Sequence, residues 1–342
     1  MPNLSLQKSF VLIASMLILS IAASAMGARP GTGNPIESEP VSCLRWDDVD
    51  EDFISIADCT ERTVTGYSEG NHELNFTVIR PWGAKSKKGH KIPKNGYPLI
   101  VWANGWGWNN NDGETTTDGY KPGLVEWALS GDYIVVAANA WSVQESDVLQ
   151  SLQWIVDQNE VPESDYYKKI NTNKIGIAGH SQGGGATIKA GGDGATISDG
   201  EEVPLSITAT IAMNPYGPAW VDPGNQDGPM LILGGYFDST TPPGSYQSVW
   251  DAVAVNGIGG INAILLEGTH NSEAWGVDPY PFGATLSNEE ASKINFVKYQ
   301  YITELWWNYF LNDNSNSLVS LIGELSDEGV WYTEYAVDWL LP

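Results

Sequence analysis

The chain has 342 residues, 42% of them hydrophobic, and 42 acidic against 17 basic side chains give a formal charge of −25. Such a length and apolar share can build one large core. The charge argues against nucleic acid or an anionic membrane as a partner, because both repel an acidic surface, and fits a soluble extracellular protein.

Lys8, the apolar run Phe10–Ala22 and the small residues Ala23, Ser24 and Ala25 read as a secretory signal peptide, so residues 1–25 are set apart from the fold. The run is short for a bilayer span. Secretion is expected, with no membrane association after cleavage. Residues 26–60 form an N-terminal lead-in, rich in Gly, Pro and Glu as far as about Asp50 and expected to be poorly ordered. It carries the only two cysteines, Cys43 and Cys59, and an even count in an exported chain points to one structural disulfide.

Residues 61–312 alternate between strand and helix patterns. Leu74–Arg80 alternates as a strand does, and Tyr97–Trp102 is a continuous apolar run of the kind found in buried central strands. A short helix over Gly123–Leu129, a buried strand over Asp132–Ala138 and a helix over Ser142–Gln158 come next. Then come a strand at Lys174–Ala178, a helix from Ala186, and strands at Ser206–Ala212 and Pro229–Leu233. A helix over Tyr246–Val253, a last strand over Ile261–Leu266 and a long amphipathic helix over about Ala291–Asn312 complete the domain. The pattern predicts an α/β fold: a single domain with a mainly parallel central sheet flanked by helices and no large lid. Residues 313–342, with Trp331, Tyr332, Tyr335 and Trp339, read as a tail packed on the core.

Between the strand at Lys174–Ala178 and the following helix lies Gly179-His180-Ser181-Gln182-Gly183-Gly184-Gly185. A G-x-S-x-G at a strand-to-helix turn is the nucleophile elbow of an α/β-hydrolase: the tight turn strains the serine and lifts its hydroxyl above the sheet. A serine hydroxyl needs a base, and the base needs a carboxylate to orient it. Of the four histidines, His72 and His90 precede the elbow and His180 sits inside it, which leaves His270, just after the last strand, as the base. Asp238, at the end of the preceding strand, is the expected acid; Asp222 and Asp227 come before that strand and read as turn residues. The oxyanion hole requires two backbone N–H groups. Gln182 supplies one, and the loop after Tyr97–Trp102 supplies the other, with Trp106 as the choice and Gly105 as the alternative.

Together these residues resemble the cutinase-like polyester hydrolases, including the poly(ethylene terephthalate) hydrolases, and the related dienelactone-hydrolase and chlorophyllase-like groups. The likeness runs from about Tyr97 to Asn312 and rests on the elbow, the segment Gly234–Pro243 around Asp238, and the strand-end His270. The resemblance implies an aromatic substrate platform at Tyr216 and an aromatic cleft wall at Trp106. The chain departs from that family in carrying Gln182 where Met is common after the nucleophile, Tyr216 where Trp is common, and no cysteine near the C-terminus. A polar insert, Trp108–Thr117, extends the oxyanion loop.

Of the fifteen tryptophans most are expected in the core, with Trp106, Trp108 and Trp275 beside catalytic loops as exceptions. Trp106, Trp108, His180, Tyr216 and Trp275 are the expected substrate contacts. The expected activity is hydrolysis of a small or polymeric ester by a monomeric serine esterase, without metal or organic cofactor. The rival readings are a small-ester or carbohydrate esterase, a peptidase, and a non-catalytic binding protein on the same scaffold.

Overall fold

The computed structural model describes residues 36–37, 41–47, 52–69, 72–81, 92–106, 120–138, 140, 142–192, 205–217, 223, 226–272 and 289–336. The signal-peptide reading, Trp108 and the insert that it begins, and Trp275 lie outside the described residues.

Strand β5 (Tyr97–Ala103) sits at the centre, and every one of its residues is buried. It pairs in parallel with β6 (Ile134–Ala138) on one side and with β7 (Ile170–His180) on the other. A strand with parallel neighbours must be covered on both faces, which is why it reads as an unbroken apolar run. The parallel block continues through β8 (Ala209–Met213), β9 (Met230–Gly235) and β10 (Gly260–Leu265).

Alternate residues of β5 serve two cores. Ile100 and Trp102 face the layer of helix α1 (Lys121–Ser130) and helix α5 (Glu289–Phe310). Leu99, Val101 and Ala103 face helix α2 (Glu145–Gln158) and helix α3 (Gln182–Ala190). Farther along that second face, Ile188 of α3 joins Val249, Trp250 and Val253 of helix α4 (Gln247–Val255) over Met230 and Ile232. The α1 side is held by an aromatic series: Trp102 packs on Tyr120 at 5.1 Å and on Trp127 at 5.7 Å, and Trp127 meets Trp307 of α5 at 5.8 Å between ring centroids. Of the tryptophans whose side chains are described, only Trp106 is exposed, while Trp102, Trp127, Trp154, Trp250, Trp306, Trp307 and Trp331 are buried.

Antiparallel strands extend both edges. Strand β4 (His72–Arg80) pairs with β6, β3 (Asp52–Glu69) with β4, and β1 (Ile36–Glu37) and β2 (Val41–Asp47) with β3. The expectation of a poorly ordered lead-in is therefore corrected for these residues: backbone pairing and the buried Cys43–Cys59 disulfide, 16 residues apart in sequence, hold them to the sheet. At the other edge, helix α6 (Ser315–Leu325) is followed by β11 (Trp331–Ala336), antiparallel to β10, so Ile261–Leu266 does not contain the final strand. The result is one domain with a mixed eleven-stranded sheet whose central run is parallel, in the order β1-β3-β4-β6-β5-β7-β8-β9-β10-β11, with β2 on β3. No described helix is long and apolar enough to cross a membrane.

Chain direction through the sheet reverses around β5: β6 lies to one side and β7 to the other. The connecting helices change face at the same point, α1 on one core and α2 on the other. Crevices open at the carboxyl ends of strands where the order reverses in this way. The residues after β5 and β7 are Asn104 and Ser181.

Candidate functional site

Ser181 follows β7 directly and precedes α3, with φ 52° and ψ −119°. This left-handed-side conformation costs a non-glycine residue about 1–3 kcal/mol, so the surroundings must enforce it. They do so through three backbone bonds: Ser181 N–H donates to Met213 O at 2.9 Å, while Ser181 O accepts from Tyr216 N–H at 2.8 Å and from Gly185 N–H at 3.1 Å. The turn also depends on two absent side chains. A Cβ at Gly179 would lie 2.5 Å from Gly183 O, and one at Gly183 would lie 2.2 Å from Ala103 O. The first turn of α3 thus rests directly on the end of β5.

His270 lies beyond β10, and its Nε2 is 3.0 Å from Ser181 Oγ. Its Nδ1 is 2.8 Å from Asp238 Oδ2. A carboxylate oxygen only accepts, so the proton sits on Nδ1 and Nε2 is left facing the serine as an acceptor. Asp238 is buried, and its other oxygen, Oδ1, accepts from the N–H groups of Thr240 at 2.8 Å and Thr241 at 2.7 Å. Burial opposes ionisation of Asp238, but the hydrogen bond and charge of His270 and the Thr241 contacts outweigh it and hold the carboxyl below the ordinary aspartate range. Ser181 is 8% exposed. Hydroxyl, imidazole and carboxylate are therefore in hydrogen-bond series, an arrangement that can withdraw a proton from Ser181 and stabilise the resulting imidazolium.

Asn214 and Thr241 escaped the sequence reading. Asn214, fully buried at the end of β8, takes φ 42°, a conformation that asparagine tolerates better than most residues. Its Nδ2 donates to His270 O at 3.0 Å and its Oδ1 accepts from Gly235 N–H at 2.9 Å. The Thr241 hydroxyl has one proton and two acceptors for it, Asn214 O at 2.9 Å and Asp238 Oδ2 at 2.7 Å. These two residues join the loops after β8, β9 and β10. The Asn214-Pro215 dipeptide marked a turn, but nothing in it marked contact with residues about 56 positions away.

Gln182 is the first residue of α3, where a backbone N–H has no intrahelical acceptor. Its side chain points elsewhere, donating to Ser142 Oγ at 2.7 Å. On the facing loop, a Cβ at Gly105 would come 3.3 Å from Ser181 Cβ, so this backbone borders Ser181. The Gly105 N–H is directed at Tyr120 Oη, 3.4 Å away. Trp106 and Tyr216 are exposed beside Ser181, at the ends of β5 and β8. Two exposed aromatic residues that the sequence reading passed over, Tyr236 and Phe237, precede Asp238 and pack edge to face at 5.3 Å. His180, expected among the substrate contacts, requires correction: it is 1% exposed, with Nδ1 2.7 Å from Tyr120 Oη and Nε2 2.7 Å from His270 O. Both ring nitrogens are engaged within the protein.

No protein-family model matches the chain, and no curated protein is similar to it.

Proposed function

We propose that this protein is a secreted serine esterase of the α/β-hydrolase fold, akin to the cutinase-like polyester hydrolases, with Ser181, His270 and Asp238 as its triad. The observation that carries this reading is the hydrogen-bond series from Ser181 Oγ through the His270 ring to Asp238, built on a serine held at φ 52°. Its position at the carboxyl edge of a parallel block, at the point of strand reversal, also supports the reading.

Ser181 Oγ attacks the ester carbonyl carbon as its proton passes to His270 Nε2. Asp238 holds the imidazolium through Nδ1. The carbonyl oxygen becomes an oxyanion, met by the Gln182 N–H and by the loop after β5, where Trp106 is the donor because Gly105 N–H turns to Tyr120. His270 returns the proton to the departing alkoxide, leaving an acyl-enzyme. Water then attacks that acyl group, gives its proton to His270, and Ser181 is regenerated.

The exposed rings of Trp106, Tyr216, Tyr236 and Phe237, in the loops after β5, β8 and β9, suit an apolar or aromatic ester. A buried disulfide accords with an oxidising, extracellular setting. The test is initial rates on p-nitrophenyl esters from acetate to laurate, with an amorphous aromatic polyester film alongside. Ester turnover with soluble products from the film supports the full reading. Ester turnover without film release restricts the activity to small esters, and no turnover of any ester refutes it.

A further inference from the structure

The two nitrogens of the buried His180 ring face different loops. A carbonyl oxygen can only accept, so the 2.7 Å contact to His270 O places a proton on His180 Nε2. In the neutral ring Nδ1 is then an acceptor, and Tyr120 Oη, 2.7 Å away, donates to it. Tyr120 Oη in turn accepts the Gly105 N–H at 3.4 Å. All donors therefore point one way: Gly105 N–H to Tyr120, Tyr120 O–H to His180 Nδ1, His180 Nε2–H to the carbonyl of His270. The rings are also in contact, with centroids 5.7 Å apart for Tyr120 and His180 and 4.7 Å apart for His180 and His270.

We infer that Tyr120 and His180 are positioning residues that set the oxyanion loop and the base loop as one unit. This inference rests on the esterase reading. Both ends of the chain are backbone groups, one in the loop proposed to carry an oxyanion donor and one in the residue proposed as base. Two apolar rings would fill the same space, but they would leave those loops free to shift relative to Ser181. The His270 carbonyl has a second donor in Asn214 Nδ2 at 3.0 Å, so losing His180 leaves it tethered once rather than twice. The fold is retained and the alignment is loosened.

The experiment uses Tyr120→Phe, which keeps the ring against Trp102, together with His180→Phe and the double variant, each assayed on p-nitrophenyl butyrate. Tyr120→Phe should lower kcat about tenfold, with KM changed by less than about twofold, as expected when only transition-state alignment is lost. The rate of Ser181 labelling by a fluorophosphonate should fall in parallel. Because the two residues act in series, the double variant should be no slower than His180→Phe alone. Parental kcat in Tyr120→Phe, a loss confined to KM, or effects that multiply in the double variant would each overturn the inference. Should His180→Phe fail to fold, the kcat of Tyr120→Phe decides alone. The parent and Ser181→Ala are measured first: absence of Ser181-dependent turnover there removes the esterase reading itself, and this inference with it.

Discussion

Gly183→Ala probes the contact that brings the turn at Ser181 against the end of β5 and the proposed oxyanion loop. The added methyl would lie 2.2 Å from Ala103 O and 2.4 Å from Asn104 O, whereas ordinary contact begins at 3.4 Å. Both obstacles are backbone, and Asn104 is pinned, its Nδ2 donating to Ala138 O at 2.9 Å and its Oδ1 accepting from Trp102 Nε1 at 2.7 Å. Relief therefore requires the start of α3 or the end of β5 to retreat by roughly 1 Å, an overpacking that costs about 1–3 kcal/mol. At about 2–4 °C per kcal/mol for a domain of this size, the melting temperature should fall by several degrees. A misplacement of about 1 Å at a reacting centre lowers turnover on the order of 100-fold. Initial rates on p-nitrophenyl acetate and a calorimetric scan of the same preparation read both effects. Parental kcat together with a parental melting temperature would refute the described contact between elbow and oxyanion loop.

Gly323 offers the opposite case, since nothing lies within 4 Å of its Cβ position in α6. Gly323→Ala should raise stability by about 0.5–1 kcal/mol with activity unchanged, and a lower melting temperature would contradict the helix as described. Replacing Cys43 and Cys59 together by serine opens a loop of 16-residue separation and should cost about 3 kcal/mol, read as a drop in the urea midpoint that matches reduction of the parent. Burial, with the nearby carboxylates Glu304 and Asp132, raises the Tyr133 phenol; burial, with Asp238, raises that of Tyr246. A folded pKa above the unfolded value of about 10 gives stability that is complete below that pH and lost as pH rises through the folded value. Equilibrium unfolding between pH 9 and 12 should show stability falling as pH rises above about 10; a flat profile would show that the phenols ionise freely in the fold.

The parallel block and the meeting of Ser181, His270 and Asp238 in one hydrogen-bond series were the most legible parts of the chain. Strands β5, β6 and β9 are short apolar runs because both their faces are covered, and the elbow announces itself by glycines that the turn physically requires. His270 could be found by elimination because so few histidines follow Ser181. Strands β2 and β3 were not legible: β3 is placed by backbone pairing with β4, and β2 by pairing with β3 and by the disulfide, none of which leaves an apolar run. Strand β11 alternates only weakly, with Trp331 and Ala336 buried and Tyr332 exposed, as an edge strand does. The supporting residues Tyr120, Asn214 and Thr241 act through contacts between loops far apart in sequence, and no local pattern encodes such contacts. His180, a candidate substrate contact in the sequence, is instead buried, with both ring nitrogens engaged by Tyr120 and the His270 carbonyl, partners far from it in sequence.

The central claim is that Ser181 is an activated nucleophile, and covalent labelling tests it most directly. A fluorophosphonate probe followed by peptide mass mapping should modify Ser181 alone, with labelling abolished in Ser181→Ala and greatly slowed in His270→Ala. A parent protein that remains unmodified at Ser181, or one that hydrolyses esters equally well after Ser181→Ala, would contradict the account.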